Sequence, residues 1–365
     1  MSNDIRTLTI DGRLIGDHTE SYVIAEIGHN HQGDVDQAMH LIDEARRAGA
    51  DAVKTQKRHN RSLYTREMYD KPYENENSFG PTYGTHREAL EFGRPAYEEL
   101  IAYAKRVGIT FFATAFDMRS ADFLAELDMP AYKMASADIV NTPLLRHVAS
   151  FGKPTIISTG GAALEDVRRA HEAFGEINPQ VALLQCTAGY PAAWDELDLR
   201  VISTYRELFP DTVIGLSSHD NGIAMAVAAH VLGARIVEKH FTLDRVLKGT
   251  DHKFSLEPQG LRKMCRDLGR LHVALGDGEK RVYESEAAPI TKMAKKIVAA
   301  RDLPAGHVLR ENDLALKSPG DGLPPYELER LVGHRLRRPL MRDAALTFEL
   351  LEEGAPAPLA AGYGD

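Results

Sequence analysis

The chain has 365 residues, enough for one large domain and a small one. Its 43% hydrophobic and 27% charged content suits a globular protein, and no apolar run approaches the about 20 residues that span a bilayer. A net charge of −9 excludes a general basic face for nucleic acid while leaving room for a local anion pocket.

Residues 7–15 predict a hairpin, with Asp11-Gly12 as the type I′ turn. From Tyr22 to about Leu275 strands alternate with helices. Eight short apolar runs each end in polar, chemically capable residues: Tyr22–Gly28, Ala52–Gln56, Thr110–Phe116, Ala131–Ser136, Pro154–Gly160, Val181–Thr187, Thr212–His219 and Arg235–His240. A buried strand has no stability reason to finish repeatedly in Lys, Glu, His and Ser, because desolvating them costs free energy unless they are paired. Predicted helices follow, at 36–48, 94–107, 120–127, 143–150, 164–174, 197–208, 222–232 and 261–275. Gly49 and Gly108 are expected at left-handed C-caps. Eight such units over some 250 residues predict an α/β fold, a (β/α)8 TIM barrel with its site at the strands' C-terminal mouth.

The connection between Lys57 and Arg94 is long, polar and rich in Tyr, and reads as a lid over that mouth. Residues 1–275 form the barrel domain, and 276–294 read as a polar linker. Short strands with Pro and Gly turns at 295–352 predict a small β-rich domain, and the Ala, Pro and Gly tail at 353–365 is expected to be disordered. The first residues lack the apolar core of a signal peptide, and Cys186 and Cys265 make no disulfide framework, so a cytoplasmic protein is expected.

His219 and His240 end consecutive strands, close enough to share a divalent metal; the bland alternative is two separate hydrogen-bonding histidines. Glu26 stands nearby, because strand eight closes against strand one, and could complete a ligand set or accept from a substrate hydroxyl. Lys54 and Lys133 lie inside strands and need partners. Salt bridges to neighbouring carboxylates would satisfy them. With Thr114, Ser136 and Ser158 supplying hydroxyls they would instead make a site for a phosphate-carboxylate. A Schiff-base lysine is the competing chemistry. Lys239 precedes His240 and points out of the barrel, a structural position. Asp251, Asp138, Asn141 and Tyr190 follow strand ends at the same mouth.

The segments Ile24-Ala-Glu26-Ile-Gly28-His-Asn30-His-Gln-Gly33, Ala52-Val-Lys54-Thr-Gln56, Tyr132-Lys133-Met-Ala-Ser136, Gln185-Cys186-Thr187-Ala-Gly-Tyr190-Pro191, Gly215-Leu-Ser217-Ser-His219-Asp and Glu238-Lys-His240-Phe-Thr-Leu-Asp244 resemble, in order, the sialic acid synthase family. The unit at 295–352 resembles the antifreeze-like (SAF) domain of those enzymes. The resemblance implies a transferase that condenses phosphoenolpyruvate with an N-acylated hexosamine to give a nonulosonic acid and phosphate. It implies a divalent ion, manganese before magnesium or cobalt, on His219 and His240. Lys54, Thr114, Lys133, Ser136, Ser158 and Ser217 would hold phosphoenolpyruvate, while Glu26, Gln56, Tyr190 and Asp251 would face the sugar. Catalytic roles would fall to Glu26, Lys54, Lys133 and Asp251. It also implies a domain-swapped homodimer in which each SAF domain covers the partner's mouth.

Two motifs depart from the common bacterial pattern. Ala188-Gly189-Tyr190-Pro191 replaces Asn-Ile-Tyr-Pro, and Lys317-Ser318-Pro319-Gly320 lacks the arginine of Lys-Arg-Pro-Gly. The acceptor is accordingly left open between N-acetylmannosamine and a phosphorylated or modified relative. Rival readings are a related 3-deoxy-sugar-acid phosphate synthase and a non-catalytic carbohydrate-binding protein.

Overall fold

The apolar runs form the strands of a barrel in a computed structural model of the chain, which describes residues 6–353. A hairpin of β1 (Thr7–Ile10) and β2 (Arg13–Gly16) comes first, turning at Asp11-Gly12 with φ of 49° and 78°. The barrel strands are β3 (Tyr22–Gly28), β4 (Ala52–Lys57), β5 (Thr110–Ala115), β6 (Tyr132–Met134), β7 (Thr155–Ser158), β8 (Val181–Cys186), β9 (Val213–Ser218) and β10 (Ile236–His240). All neighbours pair in parallel, and β10 closes against β3. Strands buried on both faces read as near-continuous apolar runs, which is why these eight were legible.

Helices return the chain from each strand end to the next strand start. Val35–Ala48 shows the logic. Asp34 accepts from the Gln37 N–H at its N-cap, and Ala38, Leu41, Ile42 and Ala45 form the buried stripe. Gly49, at φ 95°, closes it in the left-handed conformation. Each buried Leu or Ile on such a stripe contributes about 1.5–3 kcal/mol relative to exposure. The helix expected at 197–208 begins later, as Val201–Leu208. A 3-10 turn at Trp194–Glu196 and Asp198 in the left-handed region (φ 43°) hold the preceding residues out of the helix.

The chain divides into two compact units, Met1–Gly276 and Asp277–Asp365. In the second, β11 (Lys296–Ala299) and β12 (Leu314–Lys317) pair antiparallel, and single bridges such as Leu303–Leu340 and Leu336–Leu351 extend the pairing. Ile297, Leu309, Leu331, Leu336 and Leu346 fill its core. The segment read as a polar linker contains a helix, Glu284–Met293, none of whose residues is buried. With no buried face it leaves no apolar period to read. The tail expected to be disordered lies, beyond residue 353, outside the described residues. Among the described residues no helix is long and apolar enough to cross a membrane.

Candidate active site

Side chains two residues apart on a strand share a face. That rule sends Glu26 from β3, Lys54 and Gln56 from β4, Thr114 from β5, Lys133 from β6, Ser158 from β7, Ser217 from β9, and Glu238 and His240 from β10 into one cavity of about 550 Å3. Loops after the strands add Ser136, Tyr190, His219 and Asp251. Every residue to which the resemblance assigned a role therefore lines the same space. Asp138 and Asn141 do not: Asn141 caps the helix Thr142–Ala149 and donates to Asp138 Oδ1 at 3.2 Å. Lys239 points outward as expected, and its buried Nζ donates to Asp220 Oδ1 at 2.7 Å.

The lysines are both paired and directed at hydroxyls. Lys54 Nζ donates to Thr114 Oγ1 at 2.7 Å and forms a buried ion pair with Glu26. Lys133 Nζ donates to Ser158 Oγ at 2.5 Å and to the Met134 carbonyl at 2.9 Å. Between them stands Glu238, with Oε2 4.0 Å from Lys54 Nζ and Oε1 3.8 Å from Lys133 Nζ. Ser217 donates to Glu238 Oε1 at 3.0 Å. Glu238 did not emerge from the sequence, although its position two residues before His240 on the inward face of the strand was the available signal.

The shared environment sets the protonation states. Burial works to raise the Glu238 carboxyl, but the ammonium groups of Lys133 and Lys54 and the Ser217 hydroxyl outweigh it and hold it below its usual range. Glu26 goes the other way: burial pushes it up to about 7 against the pull of Lys54, and the Glu238 charge adds to the rise. Burial lowers Lys133 against the opposing attraction of Glu238. For Asp251 burial would raise the carboxyl, yet His240, the Thr250 hydroxyl and the guanidinium groups of Arg87 and Arg58 keep it low. Cys186 lines the same cavity, and burial raises its thiol.

The imidazoles of His219 and His240 lie with ring centroids 5.3 Å apart. Burial lowers both, His240 to about 3 and with Asp251 opposing, so both are neutral and keep a lone pair. His219 Nδ1 donates to the Thr187 carbonyl at 2.8 Å, which fixes the tautomer and leaves Nε2 as the acceptor. His240 Nδ1 is buried and finds no hydrogen-bond partner among the described residues; Asp251 Oδ2 lies 3.8 Å away. No three His, Cys, Asp or Glu side chains among the described residues close into a cage. Two neutral imidazoles, one orphaned, fit a divalent ion whose remaining positions stay open to water or substrate.

The connection after β4 brings side chains that the sequence did not single out. Arg58 and Arg87 line the cavity with His29. That connection holds helices Asn60–Leu63, Arg66–Asp70 and Tyr83–Glu88, with Tyr83 ring centroids 5.1 and 5.5 Å from Tyr64 and Tyr73. Asn77 Oδ1 accepts from the Gly249 N–H at 3.0 Å, tying the connection to the loop after β10.

A closed layer of cations, hydroxyls and shared carboxylates beside two metal-competent imidazoles can hold a phosphate-carboxylate next to a polarised oxygen. Residues 41–280 match the NeuB family and residues 296–352 the SAF domain. The chain is 39% identical to N-acetylneuraminate-9-phosphate synthase of Homo sapiens over 342 residues, 93% of this chain and 95% of that one. It is 36% identical to N,N'-diacetyllegionaminic acid synthase of Campylobacter jejuni, over 86% of this chain and 95% of that one. The crystal structure of N-acetylneuraminic acid synthetase from Leptospira borgpetersenii, in complex with citrate, is 31% identical, with a TM-score of 0.69 over 80% of this chain and 97% of that one. The chain belongs to the NeuB family, as a TIM barrel followed by a SAF domain.

Proposed function

We propose that this protein is a transferase that condenses phosphoenolpyruvate with an N-acylated hexosamine, giving a nonulosonic acid and phosphate. The observation that carries this reading is the pair of buried lysine–hydroxyl contacts, Lys54–Thr114 and Lys133–Ser158, bridged by Glu238 beside the His219–His240 pair. The names of the relatives support it, since all three compared above make acids of this class.

Lys54 and Lys133, with Thr114, Ser136, Ser158 and Ser217, bind the phosphate and carboxylate of phosphoenolpyruvate. Glu238 stands between the two ammonium groups as a shared, buried counter-charge. The enol carbon adds to the acceptor's aldehyde carbon. Water then adds at the carbon bearing phosphate, and phosphate leaves by C–O cleavage. His219 and His240 would hold a divalent ion, manganese before magnesium or cobalt, which when bound polarises the aldehyde oxygen as a Lewis acid.

Glu26 is the group that moves the water's proton. A carboxyl near 7 can take a proton and return it at neutral pH. Asp251, held ionised, accepts from sugar hydroxyls, and Gln56 and Tyr190 orient the sugar. Tyr190 and Trp194, on the loop after β8, are 58% and 73% exposed, a surface that suits cover by a partner's SAF domain in a homodimer. The reading is tested by acceptor-dependent phosphate release from phosphoenolpyruvate with a panel of N-acylhexosamines and divalent metals.

A further inference from the structure

Arg58, just past the end of β4, is only 7% exposed. Arg87 comes from the helix Tyr83–Glu88, and His29 lies between the two. Arg58 Nη1 is 2.9 Å from His29 Nε2, and Arg87 Nη1 is 3.1 Å from His29 Nδ1. A neutral imidazole has one N–H and one lone pair. Only one guanidinium can therefore donate to His29, and the other meets a second donor. Burial and the two guanidinium charges press His29 well below its usual range, so protonation does not relieve the conflict; a charged ring would make both contacts donor to donor.

Arg58 has one long ion pair, and the other partners in this cluster are neutral. Arg58 Nη2 donates to Gln56 Oε1 at 2.7 Å, and Arg87 donates to the Tyr83 hydroxyl at 3.0 and 3.1 Å. Glu91 stands 4.0 Å from Arg58 Nη1 and is engaged with Lys57 at 3.1 Å. Among the described residues these neutral groups are the only hydrogen-bond partners of the Arg87 side chain. Asp251 is close enough to feel both arginines, but its Oδ1 accepts from Thr250 at 2.8 Å and its Oδ2 faces His240. Guanidinium groups held in a buried or half-buried place, as Arg58 and Arg87 are, are normally paired with an anion.

We infer that Arg58, Arg87 and His29 form an anion subsite that takes a phosphate carried by the acceptor hexosamine, at the end away from its aldehyde. The inference rests on the condensation proposed above and names its substrate class. Gln56 links the two regions, accepting from Arg58 and donating to Glu26 Oε1 at 2.7 Å. From Lys54 to Arg58 the extended strand spans at most about 13 Å, the scale of an open-chain hexosamine phosphate. Two guanidinium forks match the oxygens of a phosphate in a way that a neutral hydroxymethyl group cannot.

The test compares an N-acylhexosamine with its 6-phosphate as acceptor, using the full chain, phosphoenolpyruvate and a divalent metal. The wild type should favour the 6-phosphate, and Arg87→Met should cut the ratio of the two kcat/KM values by roughly tenfold or more. Arg87→Lys should recover part of it. A hexitol 6-phosphate, which has no aldehyde, should raise the melting temperature of the wild type more than that of folded Arg87→Met, a readout independent of turnover. A wild type that prefers the unphosphorylated acceptor, or a ratio unmoved in Arg87→Met, overturns the subsite. Absence of phosphate release with either acceptor overturns the condensation instead, and the hexitol 6-phosphate measurement still decides the subsite.

Discussion

Glu238 on β10 and Lys133 on β6 meet at 3.8 Å, although their strands stand on opposite sides of the eight-strand ring. The barrel interior at this level is a closed polar layer, with the carboxylate shared between Lys133 and Lys54. Breaking a buried pair leaves an uncompensated charge, at a cost of about 3–5 kcal/mol. Glu238→Gln should therefore lower unfolding stability by about 3 kcal/mol at neutral pH. Denaturant titration checks this, and an unchanged midpoint would count against the shared-carboxylate description.

His219→Ala and His240→Ala should each weaken divalent-ion binding and abolish turnover while leaving the fold intact. Calorimetric titration with manganese and circular dichroism would be read together with activity. Full activity of either variant in metal-depleted buffer would remove the metal from the proposal.

Lys133 and Lys54 have every feature of anion-binding cations and also the burial that a Schiff-base lysine needs. Lys133 spends its N–H groups on Ser158, Met134 and the Glu238 field. Borohydride treatment with phosphoenolpyruvate and acceptor should leave the chain's mass unchanged. A stable adduct on either lysine would favour the aldolase reading.

The SAF unit offers a pH test of its own. The buried carboxylate of Asp313 accepts from Arg301 at 2.6 Å, from His307 at 2.7 Å and from the Arg310 N–H at 2.9 Å. Burial would raise it, but these partners outweigh burial and hold it below 3.8. A depressed folded-state value means the stabilisation is present above the unfolded value and lost as pH falls through the folded one. The stability gap between wild type and Asp313→Asn should thus be full at neutral pH and shrink as pH drops below 3.8. A gap that is constant with pH would contradict it.

Deleting residues 292–365 should leave a folded barrel with a raised KM for the acceptor and a smaller change for phosphoenolpyruvate. Unchanged constants for both would count against a SAF domain that covers a partner's mouth.

Much of this was legible because strand alternation fixes which side chains share a face. That rule placed Glu26, Lys54, Thr114, Lys133 and Ser158 at one mouth, and it set Lys239 outside. What it does not give is which residues meet across the ring, so the Lys54–Glu238–Lys133 bridge stayed hidden. Arg58 and Arg87 were hidden for another reason. They come from an irregular connection whose path depends on aromatic packing around Tyr83 and His86 rather than on any period in the sequence. The exposed helix Glu284–Met293, with Pro289 inside it, buries no stripe and so reads as linker.

The most direct measurement uses phosphoenolpyruvate carrying heavy oxygen at the bridge between carbon and phosphorus. With an N-acylhexosamine acceptor and divalent metal, the released phosphate should carry the label, in step with formation of a nine-carbon acid seen by mass spectrometry. Unlabelled phosphate, or no acceptor-dependent release across the panel, would contradict condensation by C–O cleavage at this site.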